Sequence, residues 1–506
     1  MRRLLVATLA TVLTLAGTAT PAVAAPAPGG PGLGDEYFPD YGNGGYDVSH
    51  YDVRLRYYPD TDQLTGTTTI LATAGQDLSS FNLDFVLDVA SIKVNNRPAA
   101  FARQGDHELV VTPARSVAAG QAMTVVVQYS GVPSNKVAAG FTAWIRTPDG
   151  ALAVGEPEEA WWWFPSNDHP SDKASFDVSV AVPDGVEVIS NGVQPRNPTR
   201  ETLGWTRWYW RSAQPQATYL AFIAIGQYDI TRDVMPDGEP VINAYSELLP
   251  DDFDAAARSS VERTAEITDW LAGKFGPWPF TARGGVVAPP GTLTFALENQ
   301  TRPTYGSGFF RGGSNTSVVV HENAHQYFGD SVSVAQWKEI WLNEGFASYA
   351  EWLWSQDQGE GTADEIFDFL YATQPDEFWT VRPGDPGPDR IFDGAVYDRG
   401  AMTLHQLRRT VGDDAFFEIL RTWVADHRHG DATTAEFVAL AEKVSGLQLD
   451  DLFQAWLYTP SKPALAAPSA QAPGASAAKA ATAAKAPAAP KSWAKIQRTH
   501  ELLHRH

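Results

Sequence analysis

Cysteine is absent from the 506-residue chain, which excludes disulfides and any thiolate-held metal, so stability rests on core packing and metal binding. Basic residues are scarce. Lys and Arg number 38 against 60 Asp and Glu, a formal net charge of −22. That balance argues against nucleic acid as a partner, because phosphates need a basic surface. It keeps a protein soluble and would also draw the cationic N-terminus of a peptide. Long apolar runs are missing too: after the first two dozen residues nothing is apolar enough for long enough to cross a bilayer, so no transmembrane segment is expected. The start itself reads differently. Met1-Arg2-Arg3, an apolar stretch from Leu4 to about Ala16 and the small-residue end Ala22-Val23-Ala24 form the pattern of a secretory signal peptide cut after Ala24. A secreted, extracellular protein is the expectation.

What remains divides by composition. Residues 25–44 are rich in Gly and Pro and read as a flexible leader. Residues 45–235 carry short alternating runs such as Tyr51 to Tyr57, Met123 to Tyr129 and Phe176 to Val182, split by Gly, Pro and Asp turns. They predict an N-terminal antiparallel β-sandwich or saddle. Residues 236–463 change to helical periodicity, with candidates at 252–275, 364–371, 399–411, 414–426 and 434–444 and strand character at 283–299. The fold class is therefore multidomain α+β, with a mainly helical second domain. Residues 464–506 collapse into Ala, Pro, Lys and Ser and end in a basic stretch, six Lys or Arg against one Glu. Two readings stand for this tail: a disordered extension whose His500, His504 and His506 are solvated, or a weak contact with an anionic envelope.

The chemistry sits in the second domain. His321, Glu322 and His325 spell HENAH, and eighteen residues separate His325 from Glu344. On a helix, positions i and i+4 lie one above the other, so His321 and His325 can hold one ion from the same face. Glu322 stands beside the first histidine as a general base for water. Glu344 lies in an apolar segment with Phe346, Tyr349 and Trp352, where an unpaired carboxylate is costly and a cation is the natural partner. Two histidines, one glutamate and an open position describe a catalytic zinc, one Zn2+ per chain, rather than a structural one.

His321 to Asp330 (HENAHQYFGD) and Trp341 to Ala347 (WLNEGFA) resemble the aminopeptidase N and leukotriene hydrolase family of gluzincin zinc peptidases, whose catalytic domain is thermolysin-like. Three further segments agree with that resemblance. Phe295-Ala296-Leu297-Glu298-Asn299 stands where the family has G-A-M-E-N. Glu156-Pro157-Glu158-Glu159-Ala160 resembles its E-P-x-x-A segment, and Val396 to Ala401 matches the stretch that carries a catalytic tyrosine. The resemblance implies zinc ligands His321, His325 and Glu344, catalytic Glu322 and Tyr397, and substrate contacts from Glu298, Glu156, Ala296 and Asn299. The two glutamates would hold a free α-ammonium, which makes the enzyme an aminopeptidase acting on peptides with a free N-terminus.

Two departures are visible. Phe295 replaces a family glycine, and the folded part ends near Pro463, where many relatives continue into a helical domain over the active site. A zinc endopeptidase or dedicated processing peptidase with an open cleft is the alternative. A non-catalytic envelope-binding protein is the third reading. Trp161-Trp162-Trp163, taken as strand residues alternating between faces, are assigned to packing rather than to a ligand platform.

Overall fold

Alternation shapes the first domain. In the strand Tyr46–Tyr58, Tyr51, Val53, Leu55 and Tyr57 point inward and are buried while their neighbours face out. This strand pairs antiparallel with Gln63–Ala74, which pairs with Ala122–Gly131, and on its other side runs parallel to Ala174–Pro183. The computed structural model describes residues 25–138, 140–465 and 487–503. Among them the large sheet has eleven strands, and a four-stranded sheet shares its apolar core. The expected signal peptide, the Ala/Pro/Lys-rich residues 466–486, His504 and His506 lie outside the described residues.

Trp161, Trp162 and Trp163 are all buried, as packing requires, but through a 3-10 turn over Ala160–Trp162 rather than a strand. A turn, unlike a strand, lets consecutive indoles enter one core.

The boundary expected at 235/236 falls inside a hairpin. Tyr228–Val234 pairs with Pro240–Ser246, which runs parallel to Arg283–Val287 in a five-stranded sheet ending in Thr304–Tyr305 and the edge strand Ala296–Leu297. The Pro236-Asp237-Gly238 stretch is the hairpin's turn, closed by Gly238 N donating to Met235 O.

The helices follow in the expected order: Ala363–Thr373, Gly394–Val411, Asp413–Asp426 and Thr434–Ser445. The helix expected at 252–275 is two, Asp251–Val261 and Thr264–Phe275. Ser259, Ser260 and Thr264 donate their hydroxyls back to Ala256 and Val261 carbonyls at the break, the local competition that makes Ser and Thr poor interior residues. Among the described residues no helix is long and apolar enough to cross a membrane.

Both ends of the chain are corrected. The leader is not free: Ala27–Pro28 pairs with Leu78–Asp84, and the buried Asp35 carboxylate accepts from the backbone N–H groups of Tyr37, Phe38 and Trp337 at 2.8, 2.9 and 2.8 Å. Gly and Pro content gave a flexible reading because it records backbone type and not the partners a distant domain supplies. The basic end forms a helix, Trp493–Leu503, which buries Ile496, Thr499, His500 and Leu503 against the second domain. Of the tail's apolar residues, Ile496 and Leu503 are buried and Trp493 and Leu502 partly so. At the domain junction Lys173 Nζ donates to the carbonyls of Asp330, Ser331 and Gly430 at 2.8, 3.1 and 2.6 Å. It ties the large sheet to the loop that follows the HENAH helix.

Candidate active site

The HENAH helix spans Thr316–His325 and is buried along its whole length. Asn315 caps it, its side chain accepting from Ser317 N at 3.1 Å. Each histidine has one ring nitrogen engaged behind it. His325 Nδ1 donates to Phe328 O at 3.0 Å, and His321 Nδ1 lies 2.8 Å from Glu351 Oε1. Protons placed on Nδ1 by these partners leave both Nε2 lone pairs aimed at a common point. Glu344, from the helix Trp341–Asp357, brings Oε2 to 3.4 Å from each Nε2. Tetrahedral ligands about 2.0–2.1 Å from a zinc ion stand about 3.3–3.4 Å apart. The donor set and its spacing fit that ion.

Glu344 is buried, which alone would raise its pKa, but His325 and His321 outweigh burial and hold the carboxyl well below its ordinary range. Glu351 behaves alike: against burial, His500 and His321 bring it to about 2.

Three other carboxylates of the cavity are pushed the opposite way. Burial raises Glu322 to about 8, although His321 and His325 pull it down, and its Oε1 has no hydrogen-bond partner. Burial and then Glu298 raise Glu156, whose Oε1 is also unpartnered. Glu298 is raised by burial too, and its Oε1 accepts from Tyr219 OH at 3.0 Å. Gln326 fixes the Glu298 segment to the HENAH helix, donating to Glu298 O at 2.7 Å and accepting from Thr301 N at 2.6 Å. Ala296 is buried on the edge strand, and Asn299 Nδ2 donates to Leu220 O at 3.3 Å.

Tyr397 lies on the helix Gly394–Val411, capped by Asp393 accepting from Ala395 N at 3.0 Å. That Asp cap starts the helix five residues before the expected 399. The Tyr397 ring stacks on His321, centroids 6.0 Å apart and planes 19° from parallel. Burial, and next Glu344, raise its pKa far above the ordinary tyrosine range, so the phenol keeps its proton and can donate it in a hydrogen bond. The approach depends on two glycines. A Cβ on Gly345 would meet the backbone of Gly400 at 2.9 Å, and the reverse contact is equally close. Only a Gly–Gly crossing lets these helices touch backbone to backbone. A cleft of about 570 Å³ opens beside Glu156, lined also by Phe38, Tyr41, Phe141 and Phe392.

The N-terminal domain of peptidase family M1 matches residues 48–220, and the family's peptidase domain matches residues 310–456. The chain belongs to peptidase family M1. Among curated M1 relatives, Aminopeptidase M1 of Arabidopsis thaliana is 25% identical over 458 residues, covering 82% of this chain and 50% of that protein. Probable aminopeptidase 2 of Sulfurisphaera tokodaii is 25% identical over 316 residues, covering 58% of this chain and 39% of the relative. The chain spans half or less of the length of these relatives. The M1 zinc metallopeptidase from Deinococcus radiodurans aligns with a TM-score of 0.76 and 28% identity, over 86% of this chain and 98% of that one. A mutant of it bound to a Tyr-ser-ala substrate aligns equally well, over 86% and 99%.

The nine site residues expected from the sequence lie on or beside the elements just described, and other side chains pack or hydrogen-bond beside them. Glu351 follows Glu344 by seven residues, two turns along one helix face, so its place behind His321 was readable from the spacing. Tyr219 and Gln326 carry no such signal, because their partners come from distant segments. His500, expected in solvent from the composition of the tail, is buried, with Nε2 2.8 Å from Glu351 Oε1.

Proposed function

We propose that this M1 member is an exported zinc aminopeptidase that releases the N-terminal residue of peptides. The observation that carries the reading is the unbalanced negative end of the cavity. Glu156 and Glu298 are both buried, Glu298 is the charge that next raises Glu156, and among the described residues Glu156 Oε1 has no hydrogen-bond partner. A peptide's α-ammonium supplies that partner, and a carboxylate pair in a dry site binds it strongly. The tripeptide-bound M1 relative supports a short peptide as substrate. Export rests on the Met1 to Ala24 pattern.

His321, His325 and Glu344 are the residues that would hold zinc. When bound, the ion supplies Lewis acidity at the carbonyl and lowers the pKa of water to about 7. The remaining steps belong to the chain. Glu156 and Glu298 grip the ammonium and so set the distance to the first peptide bond. The edge strand at Ala296 offers its backbone to the substrate, while Asn299 keeps the Glu298 segment against the first domain. Glu322 takes a proton from the attacking water and passes it to the leaving amine. Tyr397, a neutral phenol, donates to the carbonyl oxygen as that atom gains charge.

The test is a panel of aminoacyl anilides with free and N-acetylated amines, each with and without a zinc chelator. Hydrolysis confined to free amines and abolished by chelator is the expected result. Cleavage of the acetylated series, or of internal bonds only, would move the protein to the endopeptidase class.

A further inference from the structure

The helix Trp493–Leu503 reaches the metal pocket from a part of the chain beyond the M1 peptidase-domain match, which ends at residue 456. It is tied to both metal-bearing helices. Thr499 Oγ1 accepts from Asn315 Nδ2, the cap of the HENAH helix, at 3.0 Å. At its other end, Ser355 of the Glu344 helix donates its hydroxyl to Ser492 Oγ at 2.7 Å, and Ser492 N donates to Glu360 O at 3.1 Å.

Next to the first of these ties stands His500. Its Nδ1 lies 3.1 Å from Asp398 Oδ1, and its Nε2 lies 2.8 Å from Glu351 Oε1. The same Glu351 oxygen is 2.8 Å from His321 Nδ1, and Ser317 Oγ donates to the other oxygen. One imidazole therefore bridges the carboxylate that orients a metal ligand and the residue next to Tyr397. A side chain serving only to fill this space would have no reason to be polar. Without His500, Glu351 would be a buried carboxylate facing the ligand histidine with half its compensation gone.

We propose that His500 is a positioning residue of the metal centre, fixing Glu351 and through it the tautomer and direction of His321. The inference rests on the reading of His321, His325 and Glu344 as the zinc ligands. Groups that orient a metal-bound histidine typically change metal affinity or activity 10- to 100-fold when removed, and His500 acts one step further out. Its loss is therefore expected at the low end, about 10-fold.

The experiment compares full-length wild type, His500→Ala and His500→Gln. It measures zinc stoichiometry, zinc affinity by competition with a chelator of known strength, kcat and KM separately, and thermal unfolding of the zinc-free proteins. The expected result is one zinc per chain in all three, with affinity and kcat about 10-fold lower in His500→Ala and KM within about twofold. His500→Gln, which keeps one donor for Glu351, should fall between. Equal zinc affinity and kcat in all three, with only the zinc-free protein less stable, would make His500 a packing residue and overturn the proposal. A second zinc lost specifically in His500→Ala would also overturn it, in favour of a site at His321, Glu351 and His500. Wild type that takes up no zinc would sink the ligand assignment itself, a different outcome from wild type that binds zinc no better than the variants.

Discussion

Two groups of buried glutamates around the HENAH helix are shifted in opposite directions. In the first, Glu344 and Glu351 are buried yet held below the usual carboxylate range, because histidines face them. In the second, Glu156, Glu298 and Glu322 are buried just as deeply and pushed up, because burial outweighs the nearby histidines that pull them down. The first group is compensated by the chain itself. The second is left for what binds. Buried charge in a folded protein is usually a matter of stability, but here the close histidine partners set Glu344 and Glu351 apart from the other three.

The comparison can be broken first at Glu322. Glu322→Gln keeps the shape and removes the base, so kcat should fall about 10²- to 10⁴-fold with zinc content unchanged. A smaller loss would mean that another group takes the proton.

Next comes a matched pair. Glu351→Gln leaves histidines without their carboxylate and should destabilise the protein by about 3–5 kcal/mol. Glu156→Gln removes repulsion in the second group. It should raise the melting temperature while lowering kcat/KM for free-amine substrates about 10- to 100-fold, the value of a charge-assisted hydrogen bond. Denaturant unfolding of both variants side by side decides whether the two groups differ as described. If both variants lose stability alike, the contrast is wrong.

Much of this was legible beforehand. The HENAH spacing and Glu344 lie close in sequence, and helix periodicity brings such residues together whatever the rest of the chain does. Strand alternation likewise gave the first domain, since a half-buried sheet imposes a period of two. What stayed hidden was long-range. Asp35 meets Trp337 across 302 positions and His500 meets Glu351 across 149, and local composition contains no trace of either partner. The expected boundary at 235/236 falls in a hairpin for a related reason: a Pro-Asp-Gly turn looks the same whether it ends a domain or reverses a hairpin.

The third way to probe the cavity is mechanical. Gly400→Ala inserts a methyl where the two helices touch, which should cost about 1–3 kcal/mol by overpacking. It should also lower kcat by displacing Tyr397 relative to His321. Thermal unfolding and kinetics on one preparation test both.

The smallest effect lies at the surface. Asp364 is held below its ordinary pKa first by the hydrogen bond from His405 and also by Arg409. A depressed carboxylate adds stability above its unfolded pKa, about 3.9, and loses it as pH falls through the lower folded value. Its side chain is 67% exposed, so solvent screening limits the contribution to about 1 kcal/mol or less. Asp364→Asn should therefore be slightly less stable than wild type at pH 6, with the gap closing below about pH 4. A gap that widened in acid would reverse the sign assigned to this site.

The Asp35 staple bears on where the enzyme can be trimmed. The family match starts at residue 48, and a polypeptide begun there would keep every expected active-site residue. It would nevertheless lose the carboxylate that receives Trp337 N, four residues before the Glu344 helix begins. The backbone N–H beneath the metal pocket would then need a new acceptor in a dry place. The shortest stable polypeptide is therefore expected to include Asp35, its N-terminal limit set by a hydrogen bond rather than by the edge of the sheet.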